Sequence, residues 1–383
     1  MVKKDLGKLY NLPVEVKYCK RCVISNQRPR IVFDEKGVCN ACNFAEKKRA
    51  TIDWKRREKE LRDLCDRYRR NDGSFDVIVP SSGGKDSAIT AHQLKFTHNM
   101  HPLTVTWAPH IYTDIGWDNF QGLIKSGLPN ILGTQDGKVH SRLSRDCFIE
   151  MGEPFQPFIY GQVSFPLQMA VKYKVPLIMD GENGETEYGG DEKCEKMGFS
   201  LEDEMKYWFS NKSIDWWLKK GYTKKDLYMY FPPSVKEISE QKIERHFYSY
   251  YKNWLPQEHY YYAAEHTNFK ANPDGRSEGT YSKYASLDDR IDGFHYYLMF
   301  VKFGIGRATS DAAHEVRDRH LTREEAVALV RKYDGEFPRK YFGDFLSYCD
   351  ITEELFWEVV DSWRSPRLWE RVNGAWRLKY QVT

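Results

Sequence analysis

The sequence lacks three things that would have placed it quickly. It has no run of about 18 apolar residues able to cross a bilayer, and its opening MVKKDLGKLYNLP carries no apolar stretch of signal-peptide length. It has no excess of either charge: 58 Lys and Arg stand against 55 Asp and Glu, a formal net charge of +3. That is too little for the basic field on which non-specific nucleic-acid binding depends. It is also poor in cysteine, with eight, of which Cys65, Cys147, Cys194 and Cys349 are scattered. A disulfide framework is excluded on that pattern. Internal repeats and low-complexity segments are missing too. These absences predict a cytoplasmic protein with neither membrane nor nucleic acid as partner.

What is present has the balance of a globular chain, 41% apolar and 30% charged. Its 383 residues suffice for two or three units. The texture changes along the chain, and the reading divides it at 1–50, 51–225 and 226–383. The first zone is cysteine-punctuated, with RIVF turned by DEKG as in a hairpin whose glycine is left-handed. A linking helix follows, with Leu61, Leu64, Cys65 and Tyr68 at helical spacing. Between 75 and 225, strand candidates FDVIV, PLTVTWA, NILGT and VPLIMDG alternate with helical patterns. That alternation predicts an α/β fold, a parallel sheet with helices on both faces. Beyond 225 the strand signals fade, and SVKEISEQKIERHFYSYYKNWL, DDRIDGFHYYLMFVKFG and TREEAVALVRKY read as helices, the last opened by a Thr322–Glu325 capping box. Aromatics, 15% of the chain, predict a helical core there.

Cys19, Cys22, Cys39 and Cys42 form a C-x2-C-x16-C-x2-C pattern. Two knuckles joined by a hairpin can surround one ion tetrahedrally, and four thiolates close its coordination sphere. The spacing predicts a structural zinc ribbon, not a hydrolytic metal.

Ser82-Gly83-Gly84-Lys85-Asp86-Ser87 lies between the first strand and a helix. Backbone N–H groups there can face an anion at the positive end of the helix. A Walker loop is excluded, because Asp86 follows Lys85 and Val79 occupies the place of the first glycine. The dinucleotide pattern is absent as well. The hexapeptide resembles the PP-loop of the N-type ATP pyrophosphatases. The resemblance implies that Ser82 to Ser87 hold the β- and γ-phosphates of ATP while a substrate oxygen attacks the α-phosphorus. Lys85 then balances charge, Asp86 holds magnesium or orders the loop, and adenine lies beside Thr106, Trp107 and Gly181.

Several longer segments, YTDIGWDNF (112–120), DGENGETEYGGD (180–191), YYKNWLPQEHYYYAAEH (250–266) and residues 283–317, together with the cysteine ribbon and the loop, resemble the N-acetyl sugar amidotransferases of bacterial surface-glycan synthesis. That likeness implies conversion of a sugar N-acetyl group to an acetamidino group, in O-antigen (lipopolysaccharide) uronic acids or nonulosonic acids. The same likeness implies a nucleotide- or acid-sugar as substrate. No glutaminase is visible in the chain: position 2 is valine, and Cys147 and Cys194 lack a glycine-flanked elbow. The family works with a histidine-pathway-like glutaminase and a cyclase-like companion, which would supply ammonia. Candidate catalytic residues are Lys85, Asp86, Glu182 and Glu185, the glutamates as magnesium ligand or as base toward ammonium. Candidate substrate contacts are Glu187, Lys283, Lys302 and Arg307. His259, His266 and His314 show no metal spacing and read as ordinary polar residues. Two other readings remain open at this point: a tRNA-thiolating PP-loop enzyme, and a non-catalytic nucleotide-binding scaffold.

Overall fold

In the computed structural model, residues 2–209 and 212–383 are described. The four expected strands form: β1 (Val77–Pro80), β2 (Pro102–Trp107), β3 (Asn130–Gly133) and β4 (Leu177–Asp180). With β5 (Glu244–Phe247) they make one parallel sheet in the order β3-β2-β1-β4-β5. Side chains alternate across a strand, and here both faces are covered. Ile78, Leu103, Val105 and Trp107 pack under helices Gly137–Met151 and Gln156–Tyr173. Val77, Val79, Leu177 and Met179 pack under helices Trp54–Tyr68 and Lys85–Phe96. The apolar strand runs and their interleaved helices thus give the α/β fold anticipated.

β5 corrects the sequence reading, which made 234–255 one helix. The segment is instead a short helix Val235–Glu240, the strand, and a turn of helix Tyr248–Tyr251. Lys242 adopts a left-handed φ of 51° and stops the first helix. The open edge of β4 then captures the chain, and the Arg245 side chain pairs with Asp180. The sheet therefore extends past residue 225. A second omission is the antiparallel pair β6 (Trp369–Val372) and β7 (Ala375–Leu378). Asn373 and Gly374 both have positive φ, 51° and 82°, as a two-residue type I′ hairpin turn requires.

The remaining C-terminal region is helical, and the Thr322–Glu325 capping box is formed. Its core is aromatic, with the Phe294 ring 4.3 Å from Phe345 and Phe345 5.4 Å from Phe356. The N-terminal ribbon does not stand apart. Cys19, Val23, Ile24 and Ala41 share a core with Phe303, Ile305, Ala312 and Val330. Among the described residues no helix is long and apolar enough to cross a membrane.

Candidate active site

β1 delivers the glycine turn to the carboxyl edge of the sheet, where ligands of open α/β folds gather. Gly83 has a φ of +92°, and a Cβ there would stand 2.7 Å from the backbone of Phe120, so only glycine fits the turn. Gly84 caps helix Lys85–Phe96 with no side-chain hydrogen bond, leaving the first N–H groups of the helix for an anion. Ser81 and Ser87 join hydroxyls at 2.9 Å, and Ser87 Oγ donates to the Gly84 carbonyl at 3.1 Å, which pins the turn.

Two cavities meet at this turn. One, of about 280 Å³, lies against Ser82, Gly84, Asp86, Thr106, Trp107, Gly181 and Glu182. The other, of about 150 Å³, lies against Gly83, Lys85, Tyr284, Asp288 and Arg307, and shares Ser82, Gly84 and Asp86 with the first. The structure thus brings together every residue assigned to the nucleotide on sequence grounds. It adds Arg245, at the floor, whose guanidinium grips Asp180 by two contacts of 2.5 and 3.0 Å.

Asp86 is partly buried between Lys85 and His259. Its carboxylate contacts Lys85 Nζ and accepts from His259 Nδ1 at 2.8 Å. Burial alone would raise its pKa, but Lys85 and His259 outweigh that and hold it below the usual carboxylate range. Glu182 behaves oppositely. Burial and the neighbouring Asp86 charge push it up to about 7, against the pull of Lys85. Trp254 Nε1 donates to its Oε2 at 3.0 Å. The pair gives one carboxyl fixed as an anion and one that exchanges a proton near neutrality, a division of labour characteristic of acid–base sites. Their oxygens are also hard donors of the kind magnesium takes. His259 and Trp254 were missed by the sequence reading. No spacing announces a contact across 173 residues.

The other two glutamates of the 180–191 loop turn away from the cavities. Glu185 accepts two bonds from Arg30 of the ribbon, at 3.1 and 2.5 Å, and a third from the Asp191 N–H. Glu187 is 3% exposed and pairs with Lys48 Nζ at 2.8 Å and His314 Nε2 at 3.4 Å. Burial pushes its pKa up, yet Lys48 and His314 bring it down to about 2. Arg28 donates to the Gly189 carbonyl at 2.5 Å and Asn40 to that of Gly190 at 2.6 Å. Glu185 and Glu187 are therefore clasps between the ribbon and the loop, with no carboxylate oxygen presented to either cavity.

The cationic candidates also separate. Arg307 lines the second cavity, bound to the Tyr296 hydroxyl and 3.0 Å from Asp311. Lys302 is buried elsewhere, 3.9 Å from Glu153, which also binds His295. Lys283 is exposed, its ammonium 4.9 Å from the Tyr260 ring. Neither lysine borders a cavity described above.

The cysteine cluster meets the zinc expectation on geometry. All four sulfurs are buried and lie within 4.8 Å of one another. Cys19 to Cys42 is 3.9 Å and Cys22 to Cys39 is 3.7 Å, where a Zn–S bond of about 2.3 Å in tetrahedral geometry requires about 3.8 Å. Backbone N–H groups of Arg21, Cys22 and Cys39 point at Cys19 Sγ, as suits a thiolate. Cys65, Cys147, Cys194 and Cys349 are all buried, and burial pushes each thiol up.

A parallel sheet carries SGGKDS at the end of its central strand, the placement expected of the PP-loop that the hexapeptide resembles. The C-terminal region is of a second kind: residues 278–382 match the family model described as LPS biosynthesis protein WbpG-like, C-terminal domain. Comparison with curated proteins returns no match. Among solved structures, an NH3-dependent NAD synthetase from Campylobacter jejuni in complex with the nitrate ion aligns at 18% identity and a TM-score of 0.29. The alignment covers 50% of this chain and 93% of that one. An NMN synthetase from Francisella tularensis aligns at 12% identity and a TM-score of 0.29, over 58% of this chain and 99% of that one.

Proposed function

We propose that the protein is an ATP-dependent amidotransferase of surface-polysaccharide synthesis, converting a sugar N-acetyl group to an acetamidino group. The observation that carries the reading is the SGGKDS turn at the head of helix Lys85–Phe96, with Asp86 and Glu182 lining one cavity against it. An amide carbon is a weak electrophile, its resonance visible in a rotation barrier of about 18–20 kcal/mol. Attack of the amide oxygen on the α-phosphorus of ATP, with departure of pyrophosphate, makes that oxygen part of a leaving AMP. Ammonia then adds to the carbon, AMP leaves with the former carbonyl oxygen, and loss of a proton completes the amidine.

Each residue has a defined part. The amides of the glycine turn and Lys85 oppose the charge of the departing pyrophosphate. Asp86, held by His259, stays ionised and would hold magnesium with the phosphates. Glu182 takes the proton that ammonium must lose before it can attack. Zinc in the ribbon supplies structure alone, because four thiolates leave no open position. Ammonia arrives free or from a separate glutaminase of the histidine-pathway type. The burial of every cysteine outside the ribbon disfavours the thiolation alternative, which needs a reactive sulfur near the loop.

The deciding experiment combines the purified protein with ATP, magnesium, ammonium and candidate N-acetylated acid- and nucleotide-sugars. The reading expects AMP and a product in which NH has replaced oxygen by mass spectrometry. Isotopic oxygen placed in the acetyl carbonyl should emerge in AMP. AMP formation only with tRNA and a sulfur donor would overturn it.

A further inference from the structure

A third cavity, of about 520 Å³, lies between the start of helix Asp114–Lys125 and the C-terminal region. Its volume is that of a small-molecule site. Ser286, Leu287 and Arg307 line both this cavity and the 150 Å³ cavity at the glycine turn, so the two adjoin at Arg307. Most of its wall falls within residues 278–382, the WbpG-like segment. The PP-loop domain supplies the nucleotide cleft, and the C-terminal domain supplies the adjoining chamber.

The charges of the chamber are unequal in what they leave for a ligand. Arg276 is committed to Glu336 by a two-point fork of 2.6 and 2.9 Å. Lys340 meets Asp274 at 2.5 Å. Arg307 is bound to Tyr296 and Asp311. Arg290 differs: the Tyr112 carbonyl holds its Nε at 3.2 Å, and its Nη1 reaches the two oxygens of the half-exposed Asp344 only at 3.4 Å each. The acidic side chains of the wall are mostly spoken for. Asp289 accepts from His110 and from the backbone N–H groups of His110, Ile111 and Ile291, and Glu278 accepts from the N–H groups of Arg339 and Lys340. A planar guanidinium with long pairs in a polar chamber suits a carboxylate or phosphate oxygen pair.

We propose that this chamber is the acceptor site, that Arg290 reads an anionic group on the sugar, and that the acetamido end passes Arg307 to reach the glycine turn. The chemistry at that far end rests on the amidotransferase reading; the location and charge preference of the site do not. The anion has two sources, a sugar carboxylate or a sugar-linked phosphate.

Calorimetry without ATP or ammonium separates them, using N-acetylneuraminic acid, UDP-N-acetylglucosamine and neutral N-acetylglucosamine as probes. At least one charged probe should bind the wild type about ten- to hundredfold more tightly than the neutral one, the worth of a charge-assisted hydrogen bond. Arg290→Gln should abolish that difference and leave ATP affinity unchanged. Lys340→Glu, at an exposed position on the chamber wall, should weaken the charged probe as well, with circular dichroism to verify folding. Equal binding of the neutral sugar, unchanged affinity in both variants, or no binding of either charged probe overturns the site. Charge-selective binding lost in Arg290→Gln, but with no amidine formed from any bound sugar, leaves the site standing and overturns the reaction.

Discussion

His259 Nδ1 lies 2.8 Å from Asp86 Oδ1, so a histidine from a late helix, Pro256–His266, orders the aspartate of a loop formed 173 residues earlier. The ring also stands edge-on to Trp254, 4.2 Å between centroids, and Trp254 in turn holds Glu182. One short segment therefore orients both carboxyls of the site. His259→Ala should cut AMP formation about ten- to hundredfold, the cost of losing a hydrogen bond to a charged group. His259→Gln should recover part of it. Steady-state kinetics of AMP release, with circular dichroism to verify folding, checks both.

Glu182 should set the acidic limb of the pH profile. It must be ionised to accept a proton, so activity should rise with pH through about 7. Glu182→Gln should remove that limb along with most of the rate. The same shift has a stability sign. A carboxyl raised in the folded state contributes fully below its ordinary value of 4.5, and the contribution is lost as pH rises through about 7. Glu182→Gln should accordingly be at least as stable as wild type at pH 8 by thermal denaturation.

The Lys48–Glu187 pair has the opposite sign. Held at about 2, Glu187 stabilises the fold fully above 4.5, and that stabilisation is lost as pH falls toward 2. Lys48→Met leaves the buried Glu187 carboxylate with only the longer His314 contact among its ion pairs and should cost about 3–5 kcal/mol. Denaturant titration at pH 7 measures it, and the gap between variant and wild type should narrow in acid.

Metal removal should be felt in the loop that carries Glu182. Arg28, Arg30, Asn40 and Lys48 of the ribbon region all bind residues 185–190. Stripping the metal with a chelator, or Cys42→Ser, should raise hydrogen exchange across 181–191 while the strands keep their protection. Zinc content and exchange mass spectrometry report the two sides of that link.

Gly83→Ala should abolish nucleotide binding. Both the left-handed φ and the 2.7 Å approach to Phe120 oppose a methyl group. Fluorescence titration with ATP, which lies beside Trp107 in the proposed complex, is the direct measurement.

Much of this was legible in the chain. Four strands announced themselves as apolar runs, because a parallel sheet is buried on both faces and leaves no polar alternation to confuse the reading. The glycine turn and the cysteine knuckles are local patterns whose chemistry is written in adjacent residues. β5 was illegible because Glu244–Phe247 is a strand only by virtue of the β4 edge beside it. The acidic loop shows the same limit: three glutamates within six residues look alike, and only packing separates Glu182 from the clasps Glu185 and Glu187. Lys302 and Lys283 offered charge without position. His259 carried no signal of its own, since its role exists only where two distant helices meet.

Arg317 donates to the Glu187 carbonyl at 2.9 Å and reaches Cys22 Sγ at 3.8 Å. A guanidinium near the end of the chain thus closes a unit begun near its start, and the ribbon shares its core with residues 303–330. During synthesis the ribbon emerges long before residues 303–330 and must wait for them before its apolar side is covered. Metal capture by the four cysteines is what can hold it in shape through that interval. A fragment ending before residue 300 would keep the nucleotide turn yet leave the ribbon's inner surface bare, so the segment 303–330 completes the core of the first fifty residues.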